Sequence, residues 1–116
     1  MHQAVATDRH AAVRRAHHPN CYVCKNDRDT GLGITYVQQP NGEVIADVDC
    51  REDWEGYTGL VHGGIVAILV DGAMTNCLFA KGVVAVTADL HVRYRHPVQL
   101  SQRALVRAEV VRSSHP

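Results

Sequence analysis

One long apolar stretch, residues 59–79, constrains the fold more than any other part of the chain. Two glycines, Gly63 and Gly64, open a run in which apolar residues occur on nearly every side. Since a helix that is hydrophobic all round belongs in a core, the pattern predicts one buried helix from His62 to about Phe79. Asp71 is its exception, because burying a carboxylate is costly unless it is paired, hydrogen-bonded or facing a cavity.

The polar groups of this predicted helix share one face. Gly64 and Asp71 are seven residues apart, and Thr75 follows one turn later. The helix therefore offers backbone N–H groups at its positive end and a carboxylate two turns down. This pairing suits an acyl carbonyl that is polarised and then attacked, with Asp71 as general base or nucleophile. Alternatively, Asp71 is a structural acid that accepts a hydrogen bond from Thr75 or from a neighbouring strand.

Length and composition limit the class of protein. The chain has 116 residues and equal numbers of acidic and basic side chains, twelve of each. This predicts a single domain over 1–116 without a nucleic-acid-binding surface. The longest aliphatic run, Ile65 to Val70, is far shorter than a membrane span, and the N-terminus has no signal-peptide pattern. The four cysteines are not spaced like a disulfide scaffold, so we expect a cytoplasmic protein.

Strand patterns flank the helix on both sides. Before it, residues 31–38 and 43–50 alternate around Pro40-Asn41-Gly42, a strong hairpin turn. After it, residues 83–98 and 104–111 are expected to form two more strands. The order ββ–α–ββ predicts an α+β fold with an antiparallel sheet wrapped round one long central helix. Residues 1–18 are predicted to be a solvated lead-in, in which 11–16 can form a short helical turn. Trp54, in the loop before the helix, is expected to be a packing anchor.

The pair Cys21 and Cys24 has the C-x-x-C spacing and follows His17 and His18. A closed zinc site needs four ligands, and the sequence offers no second C-x-x-C. We therefore predict no metal and no cofactor, with the segment acting as a structural cap over the first strand. Structural zinc and a redox pair are the alternatives.

The ordered series of motifs resembles a known family. Four motifs make up this series: Gly59-Leu60-Val61-His62-Gly63-Gly64 with Asp71 nine residues after the His, Cys21-Tyr22-Val23-Cys24 with Gly31-Leu32-Gly33-Ile34, Trp54-Glu55-Gly56-Tyr57, and Val86 to Val98. Together they resemble the hotdog-fold acyl-CoA thioesterases of the phenylacetic-acid-pathway type over about residues 19–111. The resemblance implies hydrolysis of an acyl-CoA to a free acid and CoA without a metal, by a homodimer or a tetramer. It further implies an oxyanion donor at Gly64, a positioning role for His62, and a site in which Asp71 serves the partner subunit.

The chain departs from the family pattern at two places. Many relatives have Asn where this chain has Gly56, so neighbouring Glu55 is the candidate for orienting water, with Thr75 assisting Asp71. The usual C-terminal hairpin is also expected to be missing, which would leave polar sheet edges open. These departures keep a second function open, a hotdog module that binds acyl-CoA or assembles with partners without hydrolysis. Cys77, Ser113 and Ser114 have no His or acid at motif spacing, so a Ser or Cys nucleophile is not predicted.

Overall fold

The computed structural model describes residues 2–25 and 29–112. In chain order its elements are α1 (His2–His17), β1 (Val37–Gln38), β2 (Val44–Asp49), a short 3-10 helix (Glu52–Trp54), α2 (Gly63–Ala80) and β3 (Arg103–Ala108). The strands form one antiparallel sheet in the order β1-β2-β3, and α2 packs against β2, β3 and α1. The predicted α+β hotdog arrangement, a sheet against one long central helix, is confirmed.

The first hairpin follows the predicted turn chemistry. Val37 pairs with Ile45, and Gly42 adopts a φ of 91°, a conformation that glycine tolerates without strain. The side chain of Asn41 accepts a hydrogen bond from the Glu43 N–H at 3.0 Å. The strand before the turn is shorter than predicted, since only residues 37–38 join the ladder. Its predicted inward face is nevertheless buried, and consists of Leu32, Ile34 and Tyr36.

Alternation along β2 separates the core from solvent as predicted. Val44, Ala46 and Val48 are buried, whereas Asp47 and Asp49 are exposed. The inward residues pack beneath α2, so the sheet covers one side of the helix. The predicted last strand is confirmed as β3, which pairs with β2 along its whole length.

Helix α2 has nearly the predicted bounds and forms the centre of the core. By length and composition alone its 18 residues could cross a membrane. In this fold seven of them are buried within the protein, and Phe79 and Cys77 are among the most deeply buried side chains. The helix ends at Ala80, and Lys81 and Gly82 follow as a helix stop, with Gly82 at a φ of 75°. Its burial identifies it as a core helix.

The prediction of a solvated lead-in is wrong. Residues His2–His17 form a helix of four to five turns that packs on α2. The guanidinium of Arg9 donates to the Ala80 carbonyl at 2.6 and 3.1 Å, and His10 is buried against Asn76. These contacts are polar, so they leave no apolar periodicity in the sequence, and the pattern that normally predicts a docked helix is weak here.

The prediction of a long strand over 83–98 is also wrong. This segment runs back along α2 and has no ladder partner among the described residues. Val86 is 92% exposed and Leu90 is 42% exposed, although both lie on the apolar side of the alternation in this segment. Alternation indicates that a sequence is suited to a strand, but a strand also needs a neighbouring backbone to pair with. Because the sheet ends at β3, this segment finds no such neighbour in the described structure. A gap of about 480 Å³ lies between Val98, β3 and α2.

Candidate active site

The site is built around the first turn of α2, which the preceding loop fixes in place. Trp54 is buried, with 3% exposure, so its predicted role as a packing anchor is confirmed. The His62 N–H donates to the Trp54 carbonyl at 2.7 Å, and the Val61 N–H donates to the Val98 carbonyl at 2.8 Å. The loop and the end of segment 83–98 therefore hold the helix start between them.

His62 is the N-cap of α2. Its Nδ1 accepts a hydrogen bond from the Gly64 N–H at 2.8 Å, which satisfies one of the free donors of the first turn. The Gly64 N–H, the oxyanion donor implied by the resemblance, is thus engaged by a side chain in this conformation. The ring has to turn away before Gly64 can donate to a carbonyl oxygen.

The N–H of Gly63 is the other candidate donor at the start of α2. Its carbonyl accepts a hydrogen bond from the Tyr94 hydroxyl at 2.8 Å, while its N–H has no partner within residues 2–25 and 29–112. Because it begins the helix, this N–H lies at the positive end of the helix dipole. The Gly63 N–H is therefore available to an anion or to a polarised carbonyl.

Asp71 lies two turns further along α2 and is partly exposed. Its Oδ1 accepts a hydrogen bond from the Thr87 hydroxyl at 2.5 Å. Thr75 makes no hydrogen bond with Asp71 in the described structure, so the donor comes from the neighbouring segment instead. The second Asp71 oxygen has no protein donor in that part of the chain, and it is the one that can accept a proton from water.

A groove of about 910 Å³ opens beside the first turns of the helix. Its apolar wall comes from α2, the preceding loop and the end of segment 83–98, and includes Leu60, Val61, Val66, Val70, Val92 and Val98. Gly63 and His62 line it at the helix start. Arg93, Arg95 and His96 also line it and are exposed. The groove thus combines an apolar wall, a free backbone donor and basic side chains.

Glu55 lines the groove but is used by its own loop. Its Oε2 accepts a hydrogen bond from the Gly59 N–H at 2.7 Å, which closes the turn before α2. Gly56 lies where the loop crosses His62, and a Cβ at position 56 would come within 3.0 Å of the His62 Cα. A side chain at this position requires the His62 backbone to give way.

Sequence reasoning missed two residues of this site, Thr87 and Tyr94. Both belong to segment 83–98, and both bond to α2, at Asp71 and Gly63 respectively. The placement of Thr87 on the polar side of the alternation was a signal that it could reach an acid on a neighbouring element. Nothing in the local pattern singles out the Tyr94 hydroxyl.

The cysteines do not form a nucleophilic site in the described structure. All four are free thiols, and burial raises the pKa of Cys24 to about 11 and also raises the pKa of Cys77. A protonated thiol is a weak nucleophile, so these two residues are not poised for attack. Ser113 and Ser114 lie outside the described residues.

Comparison with known proteins decides the family. The sequence profile of the Thioesterase superfamily matches residues 58–115, which include the helix and the groove-lining segment. The chain belongs to the thioesterase superfamily. Acyl-coenzyme A thioesterase 13 from Homo sapiens is 31% identical over 81 residues, covering 68% of this chain and 58% of that protein. Acyl-coenzyme A thioesterase THEM4 from Rattus norvegicus is 34% identical over 85 residues, covering 71% of this chain and 36% of that protein.

Solved structures of the superfamily agree on the fold. The crystal structure of thioesterase superfamily member2 from Mus musculus has a TM-score of 0.69 at 20% identity, covering 93% of this chain and 75% of that chain. The match to this chain covers 58% of the length of the first curated relatives. The sequence profile establishes the family, and the solved structures establish the fold.

Proposed function

We propose that this protein hydrolyses an acyl-CoA thioester to a free acid and CoA. The observation that carries the proposal is the start of α2, where the unpartnered Gly63 N–H meets an apolar groove. A volume of about 910 Å³ lies within the ordinary range of small-molecule sites. The relatives that carry the name acyl-coenzyme A thioesterase make a thioester the first substrate to test.

In this proposal the first turn of α2 holds the thioester oxygen. A donor matters most where negative charge develops in the transition state, and a helix N-terminus supplies donors that need no reorganisation. Gly63 offers its N–H directly, and Gly64 offers its own once the His62 ring has turned away. His62 therefore acts as a positioning residue that closes and opens the first turn.

Asp71 activates the attacking water or attacks the carbonyl itself. Thr87 donates to one carboxylate oxygen and so orients the other. Asp71 lies seven residues after Gly64, about 10 Å along the helix at a rise of 1.5 Å per residue. One thioester carbonyl is too short to touch both groups of the same chain. The proposal therefore includes a homodimer, in which Asp71 of one protomer faces the α2 start of the other.

The basic residues of the groove suit the other end of the substrate. Coenzyme A carries phosphates, and guanidinium groups bind phosphate oxygens with paired N–H donors. Arg93 and Arg95 line the groove and are exposed, so they can meet phosphates at its solvent side. We assign the apolar wall to the acyl group and these two arginines to the CoA moiety.

A second function is favoured by two of the observed contacts. The Gly64 N–H and one oxygen of Asp71 are already hydrogen-bonded within the chain. A hotdog module that binds acyl-CoA without hydrolysing it would keep both contacts permanently. Hydrolysis that uses both donors of the first turn requires the first of them to open.

A turnover assay on the purified full-length protein separates the two functions. The panel should contain short, long and aromatic acyl-CoAs, with release of the free CoA thiol followed over time and binding measured in parallel. We expect turnover of at least one class, above the rate without protein. Binding without thiol release would favour the non-hydrolytic module, and the absence of both would contradict both functions.

A further inference from the structure

A cluster of potential metal ligands lies away from the groove. His18, Cys21 and Cys24 each place a potential ligand atom within 4.8 Å of the other two. None of them lines the groove beside the α2 N-terminus. The three residues follow the spacing H-x-x-C-x-x-C, directly after α1. The sequence predicted no metal here because no second C-x-x-C was present, and it kept structural zinc as an alternative. The fold brings His18 together with both cysteines.

The histidine of this cluster has an unsatisfied nitrogen. Its Nδ1 is buried and has no hydrogen-bond partner in the part of the chain that the structure describes. The ring is held edge-on against Phe79, with the ring centroids 4.8 Å apart. Leaving a buried polar atom unpaired costs roughly 1–3 kcal/mol, and a metal bond is one way to satisfy it.

The cysteine turn is rigidly attached to its neighbours. The Leu32 N–H donates to the Tyr22 carbonyl at 2.7 Å, and the Ile34 N–H donates to the Val23 carbonyl at 2.9 Å. These bonds confirm the predicted cap over the first strand segment. They also hold both thiols on a fixed backbone, so that little ordering entropy remains to be lost when a ligand binds.

A polar second layer supports the buried thiol. The side-chain amide of Asn76 donates to the Cys24 sulfur at 3.3 Å, and the Asn76 Oδ1 lies 2.8 Å from the His10 Nε2. Asn76 is only 1% exposed, so this polar side chain occupies the core of α2. Hydrogen bonds from outside the ligand shell are characteristic of metal centres, where they orient ligands and stabilise thiolate charge.

We propose that His18, Cys21 and Cys24 bind one zinc ion. Two thiolates and one neutral imidazole make an electrically neutral site with Zn²⁺, which suits its partly buried position. Zinc–sulfur bonds of about 2.3 Å and zinc–nitrogen bonds of about 2.0–2.1 Å put the donors of a tetrahedral site about 3.5–3.8 Å apart. That spacing lies within the 4.8 Å that bounds the present separations. The fourth tetrahedral position is left to water, since the described residues offer no further His, Cys or acid within the cluster.

The site would act as a structural clamp. His18 continues from α1, the cysteine turn covers the first strand segment, and Asn76 belongs to the C-terminal half of α2. Zinc would thus bond the residue after α1 to the cysteine turn, and the hydrogen bond from Asn76 to Cys24 would link that turn to α2. This role is independent of thioester hydrolysis.

The test is metal content and spectroscopy on the full-length protein, kept reduced with a phosphine. After incubation with zinc and removal of unbound metal, we expect about one zinc per chain, as for a single three-ligand site. Cobalt substitution should give the visible absorption of tetrahedral Co²⁺ with thiolate ligands. His18→Ala and Cys21→Ser should each abolish that absorption. Cys50→Ser is the matched control, since Cys50 is a free cysteine outside the cluster, and it should retain both signals.

Three results would overturn the site. The first is reduced wild-type protein that retains less than about a tenth of an equivalent of zinc, against the single ion that one site holds. The second is an equal loss of cobalt absorption in Cys50→Ser and Cys21→Ser. The third is a Cys21–Cys24 disulfide that persists under the phosphine, found by mass spectrometry, because it would leave no thiolates to bind. Since each measurement reads metal or thiol directly, failure here is distinct from failure of the proposed hydrolysis.

Discussion

At the scale of single residues, Asp71 is the acid on which the proposed chemistry depends. It is partly exposed on α2, and its single protein donor in the described structure is the Thr87 hydroxyl. A purely structural carboxylate needs its donors, whereas a general base needs a free lone pair. The arrangement leaves one oxygen for each purpose.

Asp71→Asn should lower turnover of the best acyl-CoA by about 10²–10⁴, the usual contribution of general-base assistance. The amide keeps the size of the side chain and its hydrogen bond with Thr87 but cannot accept the proton from water. Binding of acyl-CoA should remain, because the groove is unchanged. Steady-state kinetics and direct titration measure the two effects separately.

Asp89→Asn is the matched control for this substitution. Asp89 is an exposed acid on the same segment as Thr87, and it should keep wild-type kinetics. If Asp71→Asn retained more than about a tenth of wild-type turnover, a loss far below that expected of a general base, Asp71 would be a structural acid.

At the scale of elements, the Arg9 side chain of α1 caps the C-terminal end of α2. The Arg9 guanidinium donates twice to the Ala80 carbonyl, one of the acceptors that a helix end leaves unpaired. A cation there also opposes the negative end of the helix dipole. This contact explains how a helix with little apolar periodicity docks.

Arg9→Ala should destabilise the protein by about 1 kcal/mol through loss of the charged cap and its hydrogen bonds. Thermal unfolding of the two proteins side by side should give a melting temperature lower by several degrees. Arg15→Ala, an exposed position on the same helix, should change it little. Equal shifts in the two variants would mean that the docking of α1 does not depend on this cap.

The groove is the second feature at this scale, and the proposal assigns its two arginines to the CoA part of the substrate. Replacing Arg93 and Arg95 together by alanine should weaken acyl-CoA binding about tenfold or more, since charged hydrogen bonds contribute roughly 1.5–3 kcal/mol. An acyl-N-acetylcysteamine thioester lacks the phosphates, so its KM should stay unchanged. Arg112→Ala controls for the loss of a surface cation.

An equal loss for both thioesters would contradict the assignment of these arginines to the CoA phosphates. The effect should also shrink as salt is added, because exposed charges are screened over about 8 Å at physiological ionic strength.

At the scale of the whole molecule, segment 83–98 carries unpaired backbone and exposed apolar side chains. Val84, Val86 and Leu90 are 51%, 92% and 42% exposed. A strand sequence with an open edge is suited to pairing with another copy. We expect a homodimer, or a tetramer of dimers, in which this segment is buried.

Sedimentation at micromolar concentration should find the oligomer, and Val86→Arg should shift it toward monomer by placing a charge in the interface. Val111→Arg is the matched control, since Val111 is 90% exposed near the end of the described chain. A wild-type protein that sediments as a stable monomer would contradict both the dimer and the shared site.

The shared site makes a further prediction that a non-shared site cannot meet. Gly64→Val should block approach to the first turn of α2, and by itself it should be as inactive as Asp71→Asn. Refolding the two variants together should restore part of the turnover, because one of the two shared sites in each mixed dimer combines the intact Gly64 of one protomer with the intact Asp71 of the other. Complementation is measured against each variant refolded alone, and its absence in verified mixed dimers would mean that each protomer works by itself.

The sequence by itself determined the features that depend on near neighbours. The bounds of α2 follow from its apolar run, its glycines at the start and the Lys81-Gly82 stop. The first hairpin follows from Asn41-Gly42, and the buried faces of β2 follow from alternation. These signals lie within a few residues of the structure they specify, so local conformational preference and binary pattern are enough.

Only the tertiary structure decided which polar groups meet. Asp71 bonds with Thr87, sixteen residues away, rather than with Thr75 one turn along its own helix. Arg9 caps α2 across 71 residues, and Asn76 reaches Cys24 across 52. The alternation of residues 83–98 likewise does not determine whether this segment pairs with another strand. A hydrogen bond or a strand pair needs a partner whose position is set by the packing of distant elements, and no local period encodes that position.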